Sequence, residues 1–146
     1  MQVLIDSNIL VRLREMSNPL RTTCWNAVLN LQRQQASLLI CARSLIEFWS
    51  VSTRPVSANG LGQSISQTLQ DCNDFISLFT LLPEPPDIAT RWLQIVSKYQ
   101  VQGKQAHDAR MVALAGAYGI NHILTLNSVD FARFTEIAVI DPLSLQ

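Results

Sequence analysis

Short apolar segments alternate along this chain with longer stretches in which apolar residues recur every three or four positions. The short segments are typical of buried strands and fall at residues 2–5, 37–41, 80–82, 120–125 and 137–140. The longer stretches predict helices that begin near Ser7, Pro19, Ser44, Gln63, Pro86, His107 and Ser128. Strands separated by helices throughout predict an α/β fold, a three-layer α/β/α sandwich with a central parallel sheet.

Length and composition limit the classes of protein to which the chain can belong. Its 146 residues are 48% apolar and 15% charged, so we expect a single domain over residues 1–146 with a sizeable core. Eleven Lys and Arg balance eleven Asp and Glu, which argues against a polybasic protein held to nucleic acid by phosphate contacts alone.

The expected location is the cytoplasm. Three widely spaced cysteines, Cys24, Cys41 and Cys72, lie in apolar segments and form no C-x-x-C pair, which favours core positions in a reducing compartment. No apolar run approaches the roughly 18 residues of a membrane span, and the first residues lack the basic start of a signal peptide.

Acidic and amide side chains cluster where predicted strands end. Asp6 follows the first strand, and Asn127 follows the segment at 120–125, with Asp130 one helical turn later. Ligands of a parallel sheet bind outside the carboxyl ends of its strands, so these side chains are candidates for one site. Taken singly, Asp6 and Asn127 also suit helix capping, and Asp130 suits an exposed helical position.

Two further carboxylates complete this candidate set. Glu47 lies in an apolar run, and Asp108 lies in the first turn of a helix rich in small residues. A solvated position for Glu47 and a helix-dipole contact for Asp108 are the simpler interpretations of each. Together, however, these groups can hold a hard divalent cation, which binds carboxylate oxygens and bridges to a substrate phosphate. Two such ions would activate water and stabilise the leaving oxygen of a phosphodiester.

Four motifs, in this order and spacing, resemble those of PIN-domain proteins, most closely the VapC-like ribonuclease toxins of bacterial toxin–antitoxin pairs. They are Leu4-Ile5-Asp6-Ser7-Asn8, Ser44-Leu45-Ile46-Glu47-Phe48, Ala106-His107-Asp108-Ala109-Arg110, and Leu124-Thr125-Leu126-Asn127 followed by Asp130-Phe131. Thr53-Arg54-Pro55 and Asn59-Gly60-Leu61 are similar to the same subgroup. The resemblance implies a PIN fold, cleavage of single-stranded or structured RNA with Mg²⁺ or Mn²⁺, a cognate antitoxin partner and a homodimer.

The resemblance also implies roles for individual residues. Asp6, Glu47 and Asp108 match the three acids of the family that bind metal and carry catalysis. The fourth family position is often Asp and here is Asn127, so either Asn127 or Asp130 completes the catalytic set. Ser7 and Thr125 match polar positions that orient ligands or water by hydrogen bonding.

The histidines and tryptophans receive no catalytic or base-stacking role. Adjacent helical residues point about 100° apart, so we expect His107 to face away from a cleft that holds Asp108. His122 has no acidic neighbour in the sequence. The three tryptophans, Trp25, Trp49 and Trp92, lie on apolar helix faces and are interpreted as core or dimer surface.

Two alternative functions stay open. The first is a magnesium-dependent phosphatase or phosphotransferase of haloacid-dehalogenase or receiver type, because these also place an acid after the first strand. The second is a non-catalytic PIN-like assembly or binding protein, which the neutral Asn127 and the balanced charge leave open.

Overall fold

A computed structural model describes residues 1–145 of the chain. Its five strands are β1 (Gln2–Ile5), β2 (Ser37–Cys41), β3 (Thr80–Leu82), β4 (His122–Leu124) and β5 (Ala138–Ile140). They form one sheet in the order β3-β2-β1-β4-β5, and every neighbouring pair is parallel. The predicted α/β fold with a parallel sheet is therefore confirmed, and β1 is the central strand.

The last two strands are shorter than their apolar segments predict. The backbone N–H of Ile120 donates to the carbonyl of Ala115 at 2.8 Å, so Ile120 belongs to the turn that ends the preceding helix. Ile137 likewise donates to the carbonyl of Phe134 at 3.3 Å. Both side chains are buried, which explains why they look like strand residues in the sequence.

Seven helices connect and follow these strands. They are α1 (Ser7–Arg14), α2 (Leu20–Arg33), α3 (Ala42–Thr53), α4 (Ile65–Leu78), α5 (Ile88–Lys98), α6 (Gln105–Ala117) and α7 (Ser128–Phe131). Short 3₁₀ turns lie at Val56–Ala58 and Pro142–Ser144. Helix α3 begins two residues earlier than predicted, because Ser44 does not cap it but lies buried and donates from Oγ to the carbonyl of Ile5 at 3.0 Å.

The helices cover both faces of the sheet. One apolar cluster joins β1 and β2 to α1, α2, α3 and α4, with Phe48 and Phe75 fully buried at its centre. The other joins the opposite side chains of the same strands to α5, α6 and α7, where the small residues of α6 allow close packing. The molecule thus has the three layers expected from the alternation of strands and helices.

The Thr53-Arg54-Pro55 and Asn59-Gly60-Leu61 segments form a loop that folds back on the end of α3. The backbone N–H groups of Leu61, Gly62 and Gln63 donate to the carbonyls of Val51, Arg54 and Ser52 at 2.8–2.9 Å. A Cβ at Gly60 would lie 2.1 Å from the carbonyl oxygen of Arg54, so only glycine fits there. These bonds satisfy carbonyls at the C-terminus of the helix, which gives the segment a structural role.

The structure also shows the surroundings of the three cysteines and of two tryptophans. Cys24 and Cys41 are buried, Cys72 is half-buried, and all three are free thiols. Trp25 and Trp92 each pack against the core and donate their indole N–H to a backbone carbonyl. Within residues 1–145, no helix has both the length and the apolar character to cross a bilayer.

Candidate active site

An open cleft of about 290 Å³ lies at the carboxyl edge of the sheet, where β1 and β4 end. Six of the residues singled out from the sequence line this cleft: Asp6, Ser7, Glu47, Asp108, Asn127 and Asp130. The seventh, Thr125, is fully buried just behind the cleft and hydrogen-bonds to Asp6. Residues that are up to 124 positions apart in sequence are therefore brought together by the parallel order of the strands.

Asp6 lies at the floor of the cleft with only 4% of its surface exposed. Its Oδ1 accepts from the backbone N–H of Ser7 at 2.7 Å, so Asp6, rather than Ser7 or Asn8, caps α1. Its Oδ2 accepts from Thr125 Oγ1 at 2.7 Å and from Asn8 Nδ2 at 3.2 Å. Burial nevertheless raises the pKa of Asp6 above its ordinary value, against the lowering effect of the Thr125 hydrogen bond.

Glu47 lies at the mouth of the cleft and is directed there by α3. Its Oε2 accepts from Ser7 Oγ at 2.6 Å, and its Oε1 pairs with Arg43 Nη2 at 2.8 Å. The bond from Ser44 to the carbonyl of Ile5 ties the start of α3 to the end of β1. Because of that tie, the carboxylate of Glu47 faces the same cleft as Asp6, although its side chain is 38% exposed.

Asp108 reaches the cleft from the first turn of α6 on the opposite side. Its pKa is raised from 3.8 to about 6, chiefly by burial. Arg43 lowers the pKa, whereas the negative charges of Asp6, Asp130 and Glu47 raise it further. The cleft therefore concentrates more negative charge than its own cations neutralise.

Asn127 and Asp130 both border the cleft, so the choice between them stays open. Asn127 stands directly before α7, but its side chain makes no capping hydrogen bond; its backbone N–H donates to Thr125 Oγ1 at 3.0 Å. Asp130 lies within α7, close enough to raise the pKa of Asp108.

The prediction that His107 faces away from the cleft is wrong. His107 is exposed and lines both this cleft and an adjoining apolar cavity of about 290 Å³ whose walls include Trp92 and Ile88. The start of α6 projects to the boundary between these two hollows. Consecutive residues that point about 100° apart can therefore both border the cleft.

Sequence reasoning missed Arg43, which lies between the three acids. Its Nη2 is 2.8 Å from Glu47 Oε1 and 3.2 Å from Asp108 Oδ1, and its Nη1 is 3.9 Å from Asp6 Oδ1. The side chain is 10% exposed, and its Nε and Nη1 have no hydrogen-bond partner among the described residues. The available signal was its position one helical turn before Glu47, which places both side chains on one face.

The donor set matches the preference of a hard divalent cation for oxygen. Three carboxylates converge, two of them with pKa values raised in part by the neighbouring negative charge, which a bound cation would relieve. Within residues 1–145, no three His, Cys, Asp or Glu side chains are already placed to enclose a metal ion. Arg43 contacts all three acids instead, so binding an ion requires the side chains around Arg43 to rearrange.

Comparisons with known proteins agree with this fold. Residues 3–137 match the sequence profile of the PIN domain. The fold is similar to VapBC2 from Rickettsia felis bound to a promoter DNA fragment, with a TM-score of 0.71 and 16% identity over 97% of this chain and 98% of that one. A toxin–antitoxin complex from Klebsiella pneumoniae gives a TM-score of 0.65 and 24% identity over 96% and 97%. No curated protein sequence matches the chain.

Proposed function

The chain belongs to the PIN-domain family, and from that premise we propose that it is a metal-dependent endoribonuclease, the toxin of a toxin–antitoxin pair that acts in the cytoplasm. The observation that carries this proposal is the convergence of Asp6, Glu47 and Asp108 on one open cleft. The match to the PIN profile also leaves the haloacid-dehalogenase and receiver alternatives without support.

The proposed catalytic set comprises Asp6, Glu47, Asp108, Asn127 and Asp130. Asp6, Glu47 and Asp108 would hold Mg²⁺ or Mn²⁺, which when bound supplies a water of lowered pKa and positive charge beside the phosphodiester. Thr125 and Asn8 hydrogen-bond to Asp6, and Ser7 hydrogen-bonds to both Asp6 and Glu47, so these two acids stay tied to β1 and α1 while the side chains around Arg43 rearrange to admit the ion. Such fixed positions reduce the reorganisation needed during reaction.

The substrate must be a strand that can enter the cleft from solvent. Lys104 and His107 stand at its rim, where a cation and a hydrogen-bond donor suit the phosphates next to the scissile bond. The protein as a whole carries no net positive charge, so we expect modest, salt-sensitive RNA binding confined to this rim.

Cleavage of a mixed RNA pool tests the proposal. The protein is incubated with RNA in Mg²⁺, in Mn²⁺ or in a chelator, beside the Asp6→Asn variant. Metal-dependent cleavage that Asp6→Asn loses is the expected result. The matched control is Asp71→Asn, which alters an equally buried acid on α4 remote from the cleft. Cleavage that persists in chelator, or in Asp6→Asn, would contradict the assignment.

An antitoxin and a second copy of the chain are the proposed partners. The structurally similar toxin–antitoxin complexes support the first. Ile46, Ile65 and Leu69 of α3 and α4 are each more than half exposed, beside an apolar hollow lined by Trp49 and Cys72. Phe75, by contrast, is core and adds nothing to this surface. A monomer by light scattering at micromolar concentration would contradict the homodimer and leave the antitoxin untouched.

A non-catalytic assembly protein remains the second candidate, and one observation favours it. Arg43 already neutralises part of the acidic charge, which reduces the need for a metal. An inert protein of this kind would show no gain in thermal stability with divalent ions, whereas a metal-binding site stabilises the native state.

A further inference from the structure

Arg43 is the most buried of three arginines in residues 1–145 that have an unpaired guanidinium nitrogen: its side chain is 10% exposed, against 27% for Arg14 and 31% for Arg12. Nε and Nη1 have no hydrogen-bond partner in residues 1–145, although the side chain is nine-tenths buried. Burying a charge in this way is costly unless opposite charges lie close by. The ion pairs that it forms within residues 1–145 are all with carboxylates of the cleft. Its position is therefore explained by the charge of the cleft rather than by support of the fold.

The position of Nη2 is that of a bridging cation. One nitrogen lies between Glu47 Oε1 of α3 and Asp108 Oδ1 of α6, two carboxylates from different helices. Bridging carboxylates of this kind is what a divalent ion does in an acidic site. Because α3 and the neighbouring acids surround the guanidinium, the protein's own side chain holds a positive charge at that place.

The charge of the cleft is sufficient for one divalent ion. Asp6, Glu47, Asp108 and Asp130 supply four negative charges, and Arg43 and Lys104 supply two positive ones, which leaves −2 with His107 neutral. The side chains of Asn127 and Asp130 make no hydrogen bond among residues 1–145, so free oxygens remain on that side of the cleft. One ion held by the acids of the cleft would balance the charge, and a second would leave the cleft at +2.

We propose that Arg43 is a built-in cation that takes the place of a second divalent ion, so that the cleft binds one ion per chain. The inference rests on the proposed function only in taking the cleft as the metal site. It makes Arg43 a residue that sets the number and affinity of bound ions. Asn127 in place of an acid acts in the same direction, since it also lowers the negative charge available for a second ion.

Counting bound Mn²⁺ tests the proposal without any RNA. Calorimetric titration and the electron paramagnetic resonance signal of free Mn²⁺ give stoichiometry and affinity at pH 7.5. Wild-type protein is expected to bind one ion per chain. Arg43→Gln is expected to bind two, the first at least about tenfold more tightly, because a unit charge next to the ligands is gone. The matched control Arg33→Gln removes one positive charge from α2, outside the lining of the cleft, and is expected to bind one ion within about threefold of wild type.

Arg43→Lys keeps the inference testable if Arg43→Gln does not fold without metal. Lysine retains the charge but has one nitrogen in place of two, so one ion should bind a few-fold more tightly than in wild type. Two ions in wild-type protein, or unchanged or weaker binding in both Arg43 variants, would overturn the inference. If neither the wild-type protein nor any variant binds Mn²⁺, both this inference and the proposed metal dependence of the nuclease are wrong. If wild type binds one ion and Arg43→Gln binds two, but the protein does not cleave RNA, then the proposed nuclease activity is wrong and the inference about Arg43 stands.

Discussion

Two buried carboxylates, Asp6 and Asp71, differ in what surrounds them. They are 4% and 3% exposed, and each faces an arginine. Asp71 accepts from Gln63 Nε2 at 2.8 Å and Gln67 Nε2 at 3.0 Å, with Arg14 Nε at 3.7 Å. Asp6 accepts four hydrogen bonds, but it shares its arginine with two further acids, Glu47 and Asp108.

The comparison shows how a structural acid differs from a candidate catalytic one. Two amides donate to the oxygens of Asp71 and a guanidinium lies beside them, and its neighbour Asp74 pairs with that same arginine. The negative charge at Asp6 is instead left in excess next to an open cleft, where a cation and a phosphate can enter. Burial alone therefore does not identify function; convergence of like charges on an open surface does.

Loss of the Asp6 charge should give the largest effect. Asp6→Asn should lower the rate of metal-dependent RNA cleavage by about a thousandfold or more, because it removes a metal-binding charge at almost constant volume. Its unfolding free energy should stay within about 1 kcal/mol of wild type. Cleavage rates and chemical denaturation measure the two quantities. Full activity in Asp6→Asn would place catalysis elsewhere.

Loss of Asp71 should show the opposite pattern. Asp71→Ala removes the acceptor of Gln67 Nε2, the shorter of two bonds from Gln63 Nε2 and one ion pair of Arg14, so the unfolding free energy should fall by about 3 kcal/mol. Cleavage per folded molecule should be unchanged at a temperature where both proteins are folded. A stable Asp71→Ala variant with impaired cleavage would remove the distinction between the two acids.

The raised pKa of Asp108 should make the unfolding free energy depend on pH. A carboxyl whose pKa is raised in the folded state binds its proton more tightly there than in the unfolded chain. The stabilisation from this proton is complete below about pH 4 and is lost as the pH rises through about 6, at most about 3 kcal/mol. Denaturation in chelator from pH 4 to 7 measures this loss, which should be smaller in Asp108→Asn. A flat profile in wild type would contradict the raised pKa.

Changes at the fourth position should have the smallest effect. Asn127→Asp should tighten Mg²⁺ binding about threefold, because it adds a charge to the set. Asp130→Ala should weaken binding only slightly if Asp130 lies at the edge. Titrating Mg²⁺ into both variants shows which residue is the fourth ligand. Unchanged affinity in Asn127→Asp and a large loss of affinity in Asp130→Ala would assign that role to Asp130.

The sequence predicted the fold well because each element carries its own signal. The segments at 2–5 and 37–41 are short, apolar and followed by polar residues, and both became strands within the predicted bounds. The acids at strand ends were predictable because parallel strands fix which edge they share. That logic reached Asp6 and Asn127 without any contact information, whereas Asp108 was singled out in the first turn of a helix.

Arg43 and His107 were beyond this logic because their roles depend on side-chain direction across different helices. A helical projection places Arg43 with Glu47, but the position of Asp108 on α6 relative to α3 is set by packing on both faces of the sheet. The difference between Asp6 and Asp71 was equally hidden, since the amides that satisfy Asp71 lie at the end of a loop and on α4.

The strand order also sets when the cleft comes into existence during synthesis. Central strand β1 is made first, yet its partner β4 and the bond from Thr125 to Asp6 require residues from the last fifth of the chain. An incomplete nascent chain can pair β1 with β2, but it lacks Asp108, Thr125 and Asn127. The cleft therefore cannot assemble on the ribosome before Thr125 and the residues that follow it have been synthesised, 119 positions after Asp6.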